Sequence, residues 1–165
     1  MHYCYSLHGH AVTISSSPEQ GGPADGVCRN FPREGADRGD QETRHVWGTA
    51  FAGGESGFEW YRIPCPIPHG AAGWPPAIAR FEVLVNVEGK AYIDRVHLGD
   101  HAQAVFTEAD LRVVTNYEKC FAGSVPVAGL FSIYLRVSFQ GPATVSFRGA
   151  NIALAGCTDA RTLCP

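Results

Sequence analysis

Between Phe131 and Phe139 every second residue is bulky and apolar: Phe131, Ile133, Leu135, Val137 and Phe139. The residues between them, Ser132, Tyr134, Arg136 and Ser138, are polar or amphipathic. An extended chain sends successive side chains to opposite faces, so this period of two specifies a strand with one buried face. No stretch of ten residues carries the 3.6-residue apolar period of an amphipathic helix. The chain is therefore constrained to bury itself through sheets.

Shorter segments repeat the message. Phe81, Val83, Val85 and Val87 alternate with Glu82, Leu84 and Asn86. Glu88-Gly89-Lys90 reads as a tight connection to a strand over Ala91 to Leu98, which together predict a hairpin. Residues 1–16 read as strand, interrupted by a turn or bulge at His8-Gly9-His10. His45 to Phe51 and Phe58 to Ile63 read as two further strands, joined by a Gly-rich turn. In Pro64-Cys65-Pro66-Ile67-Pro68 every second residue lacks an amide donor, which fits an edge strand or polyproline segment. Ala102 to Phe106 reads as strand, and Thr107 to Leu111 as a short helical turn capped by Thr107. Gln140-Gly141-Pro142 turns the chain, and Ala143 to Leu154 returns, broken near Gly149. Strands at this spacing, with 19 Gly and 11 Pro in 165 residues, predict an all-β chain. The expectation is an antiparallel sandwich of jelly-roll type with about eight strands, in one domain over 1–165. Residues 17–44 have no period and read as a long loop or insertion, pinned only by Val27, Cys28 and Phe31.

A net charge of −3 supplies no basic excess to hold nucleic acid or an anionic membrane surface. No apolar run reaches the length of a membrane-spanning helix. The first residues lack a basic stretch followed by an apolar one, so the expected location is cytoplasmic, or secreted if a leader has been removed. None of the six cysteines forms a CxxC pair, so buried thiols are expected ahead of disulfides or a structural zinc site.

The block Trp47-Gly48-Thr49, Phe51, Trp60, Ile63-Pro64 and Ile67-Pro68 resembles an uncharacterised group of small bacterial β-sandwich proteins. In that group a WGT-x-F segment precedes an aromatic strand and an I-P-x-P segment. The resemblance spans roughly residues 45 to 154. It implies the sandwich and carries no activity or site residues with it.

Two functions fit these residues. The first is a lectin-like module binding a glycan or other small molecule. Flat rings of Trp47, Trp60, Tyr61 and Trp74 would stack on the ligand, with Asp94 as a polar neighbour. Trp74 leads this set because it sits in a Gly/Pro loop. The alternative is a small lyase, isomerase or cyclase working without a cofactor in a sandwich or barrel pocket. His97, Glu59 and His69 are its acid/base candidates. His8 and His10 form an HxH pair that would share one face of a strand, as two ligands of a metal do.

Overall fold

The computed structural model describes residues 4–15, 41–46, 48–53, 56–66, 76–99, 104–127 and 131–155. These contain nine strands in one continuous antiparallel sheet. They are β1 (Cys4–His8), β2 (Thr13–Ser15), β3 (Gln41–His45), β4 (Gly48–Gly53) and β5 (Gly57–Cys65). They continue with β6 (Ala77–Gly99), β7 (Ala104–Glu108), β8 (Tyr117–Pro126) and β9 (Phe131–Leu154). The sequence expectation of an all-β antiparallel protein is met.

Two expected turns are not turns. Glu88-Gly89-Lys90 and Gln140-Gly141-Pro142 lie inside β6 and β9, which are 23 and 24 residues long. Residues 78–87 and 91–98 are thus not a hairpin with each other. Both pair with β9, in a ladder running from Ile78 opposite Leu154 to Gly99 opposite Ser132. Gly89 stands opposite Ala143, and the register shifts between Gly89 and Ala91. Such a bulge bends a strand without ending its ladder. A Gly flanked by polar residues carries the same sequence signal in either case.

The bend divides the sheet into two layers. In the first, β2, β5, residues 131–139 of β9, residues 91–99 of β6 and β7 lie side by side. In the second, β3, β4 and β1 flank residues 143–153 of β9, while residues 77–83 of β6 carry β8. The apolar parity of β9 survives the bend: Val137 and Phe139 are followed by Ala143, Val145 and Phe147 as buried residues. The two inner faces therefore meet as a sandwich. On one side Tyr61 of the first layer packs on Phe51 and Phe147 of the second, ring centroids 4.8 and 5.0 Å apart. On the other, Phe81 meets Phe106 at 6.3 Å and Phe121 at 6.1 Å.

Local differences have local causes. Gly9 opens a 3-10 turn, Gly9–Ala11, and a side chain at this position would collide with the Phe147 carbonyl. Val46 turns the chain between β3 and β4, so the expected single strand over 45–51 is a hairpin. Thr107 belongs to β7 rather than to a helical turn, and Asp110 takes a left-handed conformation (φ 59°) that stops the strand. The following loop pairs with the open edge of β6: Val113 exchanges backbone hydrogen bonds with Ile93, and Asn116 Oδ1 accepts from the Val85 amide. Pro64 lies beyond the stretch of β5 that β2 covers, on an edge as its missing amide requires. Residues 16–40, the bulk of the expected insertion, lie outside the described residues.

Two cysteines are in contrasting states. Cys120 is disulfide-bonded, against the expectation that placed buried thiols ahead of disulfides. Cys65 is a free, fully buried thiol that donates to the Ile63 carbonyl. Burial pushes it up to about 12, against weaker opposing effects from the Ile133 backbone and Arg62. Cys65 in the native protein is accordingly expected to resist thiol reagents at mildly alkaline pH and to react only on unfolding, as native and denatured thiol titrations would show. The bend offers a second test. Gly89 has φ +91°, and a Cβ there would lie 2.5 Å from the Pro142 carbonyl oxygen. Gly89→Ala should lose about 1–3 kcal/mol in urea denaturation. Gly123→Ala, whose Cβ would meet open space, should stay within about 0.5 kcal/mol of the native protein.

Candidate functional site

The register of the first layer sets three rows across its outward face. Phe58, Ser138 and Tyr92 form one row over β5, β9 and β6. Trp60, Arg136 and Arg95 form the next, and Arg62, Tyr134 and His97 the third. The alternate residues, Tyr61, Leu135 and Val96 among them, point inward and belong to the core. Outward faces of antiparallel sandwiches are usually polar and wet. Here Trp60, Tyr134 and His97 are only 1%, 3% and 5% exposed, although Trp60 and Tyr134 stand outside the core cluster.

A chain of contacts links the rows. The ladder between β6 and β9 shifts between Ile93 and Arg95, which leaves Asp94 as the extra residue of a bulge. Bulges re-aim side chains, and the Asp94 carboxylate meets the Arg136 guanidinium in a forked pair. Nε donates to Oδ1 at 2.8 Å and Nη2 to Oδ2 at 3.0 Å. The same guanidinium carbon lies 5.2 Å from the Phe58 ring centre and 5.9 Å from that of Trp60. Trp60 in turn meets the His97 ring at 5.0 Å. His97 Nδ1 shares a 2.8 Å hydrogen bond with the Thr107 hydroxyl of β7. Arg62 Nε donates to Ser132 Oγ at 2.9 Å, and its guanidinium carbon lies 5.9 Å from the Tyr134 ring centre. At the rim, Arg112 lies 5.0 Å from the Tyr92 ring centre. Phe58, Tyr92 and Ser138 are half-buried, so this row keeps part of its surface open.

The sequence candidates divide accordingly. Trp60, Asp94 and His97 come together on this face. Tyr61 faces inward, as a core ring. Glu59 also faces inward, 2% exposed on the face it shares with Tyr61 and Ile63. Glu59 and His97 therefore lie on opposite faces of one layer and share no site. Trp47, His69 and Trp74 lie outside the described residues. His8 ends β1 and His10 lies in the 3-10 turn, so the two do not alternate along one strand. His8 Nε2 donates to the Val46 carbonyl at 3.2 Å. Among the described residues no three His, Cys, Asp or Glu side chains gather as a metal site.

Sequence reading missed Phe58, Tyr92 and Arg136, which share the outward face with Trp60. The available signal was the polar parity of β9, which set Tyr134 and Arg136 on one face. Register, which the sequence does not print, was needed to add the neighbouring strands. The forked pair is half-shielded, with side chains 12% and 18% exposed. Charge-assisted hydrogen bonds of this kind contribute about 1.5–3 kcal/mol. Asp94→Asn should lower stability by an amount in that range, about 1.5–3 kcal/mol, read by urea denaturation.

No family model matches this sequence, and no curated protein matches it. The group it resembles through the Trp47-to-Pro68 block is thus not identified as its family, while the β-sandwich that resemblance implied is the architecture observed. Among solved structures, the chain is distantly similar to a low-affinity xylan-binding module, CBM86, from the gut symbiont Roseburia intestinalis. The two share 13% identity at a TM-score of 0.46, over 92% of this chain and 96% of that one. It is also similar to the enzymatically active domain of tailspike protein 4 of bacteriophage CBA120, with 11% identity, a TM-score of 0.40, and coverage of 92% and 19%.

Proposed function

We propose that this protein is a glycan-binding β-sandwich whose ligand lies across the outward face of the first layer. The observation that carries the reading is the row Phe58–Ser138–Tyr92. Two half-buried rings flank a hydroxyl on three adjacent strands, so their backbones are about 10 Å apart, two interstrand spacings. That distance suits alternate sugars of an extended pyranose chain. A ring face takes the C–H side of a sugar, while hydroxyls and charged groups between the rings take its polar edge. The next row supplies those groups through Arg136, Asp94 and Arg95. Guanidinia against Phe58 and Tyr92 hold each ring in place, which lowers the entropy lost when a ligand stacks. Trp60, expected from sequence as a stacking ring, acts in this reading as a support beneath Arg136.

Binding rather than turnover is favoured by the carboxylates. Glycoside hydrolysis uses a pair of them across the scissile bond. Among the described residues, the outward positions of these strands carry one, Asp94, and it is engaged by Arg136. Of the three acid/base candidates of the enzyme alternative, Glu59 and His97 lie on opposite faces of the layer, and His69 lies outside the described residues.

The test is a polysaccharide panel read by affinity electrophoresis, with Phe58→Ala and Tyr92→Ala beside the native chain. A stacked ring contributes on the order of 1 kcal/mol or more, so each variant should weaken binding by about fivefold or more. Binding that is unchanged in both variants places the ligand elsewhere and overturns the reading.

A further inference from the structure

The row Phe58–Ser138–Tyr92 runs across β5, β9 and β6, not along any one of them. The neighbouring row of opposite parity, Glu59–Val137–Ile93, is buried in the core. Phe58, Ser138 and Tyr92 therefore all stand on the outward side of the layer. Strands lie about 4.8 Å apart, so the row alternates ring, hydroxyl, ring with a repeat of about 10 Å. Each ring is braced by a guanidinium, Phe58 by Arg136 at 5.2 Å and Tyr92 by Arg112 at 5.0 Å. The spacing of the two rings is thus a built feature of the sheet.

This repeat constrains the linkage of a sugar chain laid along the row. Where the bonds at C1 and C4 are both equatorial, a pyranose chain runs nearly straight and each sugar is turned over relative to the last. The first and third sugars then show the same face to the same side. The second shows its other face, and Ser138 meets it with a short hydroxyl where a third ring would have to fit a different surface. An axial bond at C1 coils the chain and takes the third sugar out of line. A chain that twists by a third of a turn per sugar brings the same face round only at the fourth, which does not match a repeat of two strands.

We infer that the ligand of this face is a β-1,4-linked glucan or mannan, lying across the strands with its first and third sugars on Phe58 and Tyr92. The inference rests on the glycan-binding reading and specifies the linkage and minimum length of its ligand.

The experiment titrates the native chain, Phe58→Ala and Tyr92→Ala with oligosaccharides of two, three and four sugars, followed by NMR. Cello- and manno-oligosaccharides carry the equatorial linkage, and malto-oligosaccharides join the same glucose units through an axial bond. Circular dichroism confirms that the variants are folded, and the series on the native chain stands without them. In at least one equatorial series the third sugar should engage the second ring and strengthen binding by about fivefold or more. The gain from three sugars to four should be smaller. The malto series should bind at least about fivefold more weakly at three sugars. Either variant should abolish the step at three sugars, because one ring remains. Equal binding of the malto and equatorial series overturns the linkage, and a step at any other length overturns the two-strand repeat. A step that persists in both variants overturns the assignment to these rings. If none of these oligosaccharides binds while another polysaccharide does, the inference fails and the glycan reading stands. If no glycan of any kind binds, both fail.

Discussion

Every part of this fold depends on one hydrogen-bonded ladder, that between β6 and β9. It runs almost the full length of both strands and bends with them, so one pairing belongs to both layers of the sandwich. β1, β4 and β5 attach to the free edge of β9, and β7 and β8 to the free edge of β6. A sandwich of separate sheets is held by side-chain packing alone. Here the backbone carries the connection through the corner, and glycine permits it: Gly89 takes a positive φ that side chains resist. Aromatic contacts, Tyr61 on Phe147 and Phe81 on Phe106, then close the two flanks.

Much of this was legible in the sequence, for a physical reason. A face buried against a partner layer must be apolar at every second residue, and that pattern survives in any register. The β9 alternation and the strands of β5 and β6 follow from it, and the edge character of Pro64 follows from its missing amide. Other features depend on what local sequence does not encode. A glycine between polar residues ends a hairpin or bends a strand, and only the distant partner decides which. Val46 is itself β-branched, so the turn between β3 and β4 reads in the sequence as part of a strand over 45–51. Glu59 sits between Phe58 and Trp60, where alternation sends it to the face opposite theirs. The inward positions of Tyr61 and Ile63 decide its direction.

The candidate face was half legible. Trp60, Asp94 and His97 were named from composition and neighbourhood, and the structure gathers them. Tyr61 was named on the same grounds and belongs to the core, because adjacent residues of a strand face opposite ways. Phe58, Tyr92 and Arg136 required the register of three strands and a bulge at Asp94. The bulge adds one residue to β6, and with it a carboxylate at the place where Arg136 needs a counter-charge. What distinguishes this face is that its polar parity is filled by tryptophan, tyrosine and arginine, where an ordinary wet face would carry small hydroxyls and lysines. The result is a second ordered cluster backing on the core through a single layer of sheet.

The central place of β9 has a consequence for the order of assembly. β1, β4 and β5 precede β9 by dozens of residues in the chain, and each takes β9 as its principal neighbour. A chain emerging from the ribosome holds these strands without the surface they require until residue 154 has been made. Until then the small pairings of β2 with β5, of β3 with β4, and of β6 with β7 and β8 stand alone, and isolated strand pairs of that kind are marginal in water. Closing such distant pairings costs chain entropy before any contact rewards it, which sets a slow, late and concerted folding step. The apolar parity that makes β9 the centre of the finished molecule also makes its unpaired partners the part most in need of protection while the molecule is unfinished.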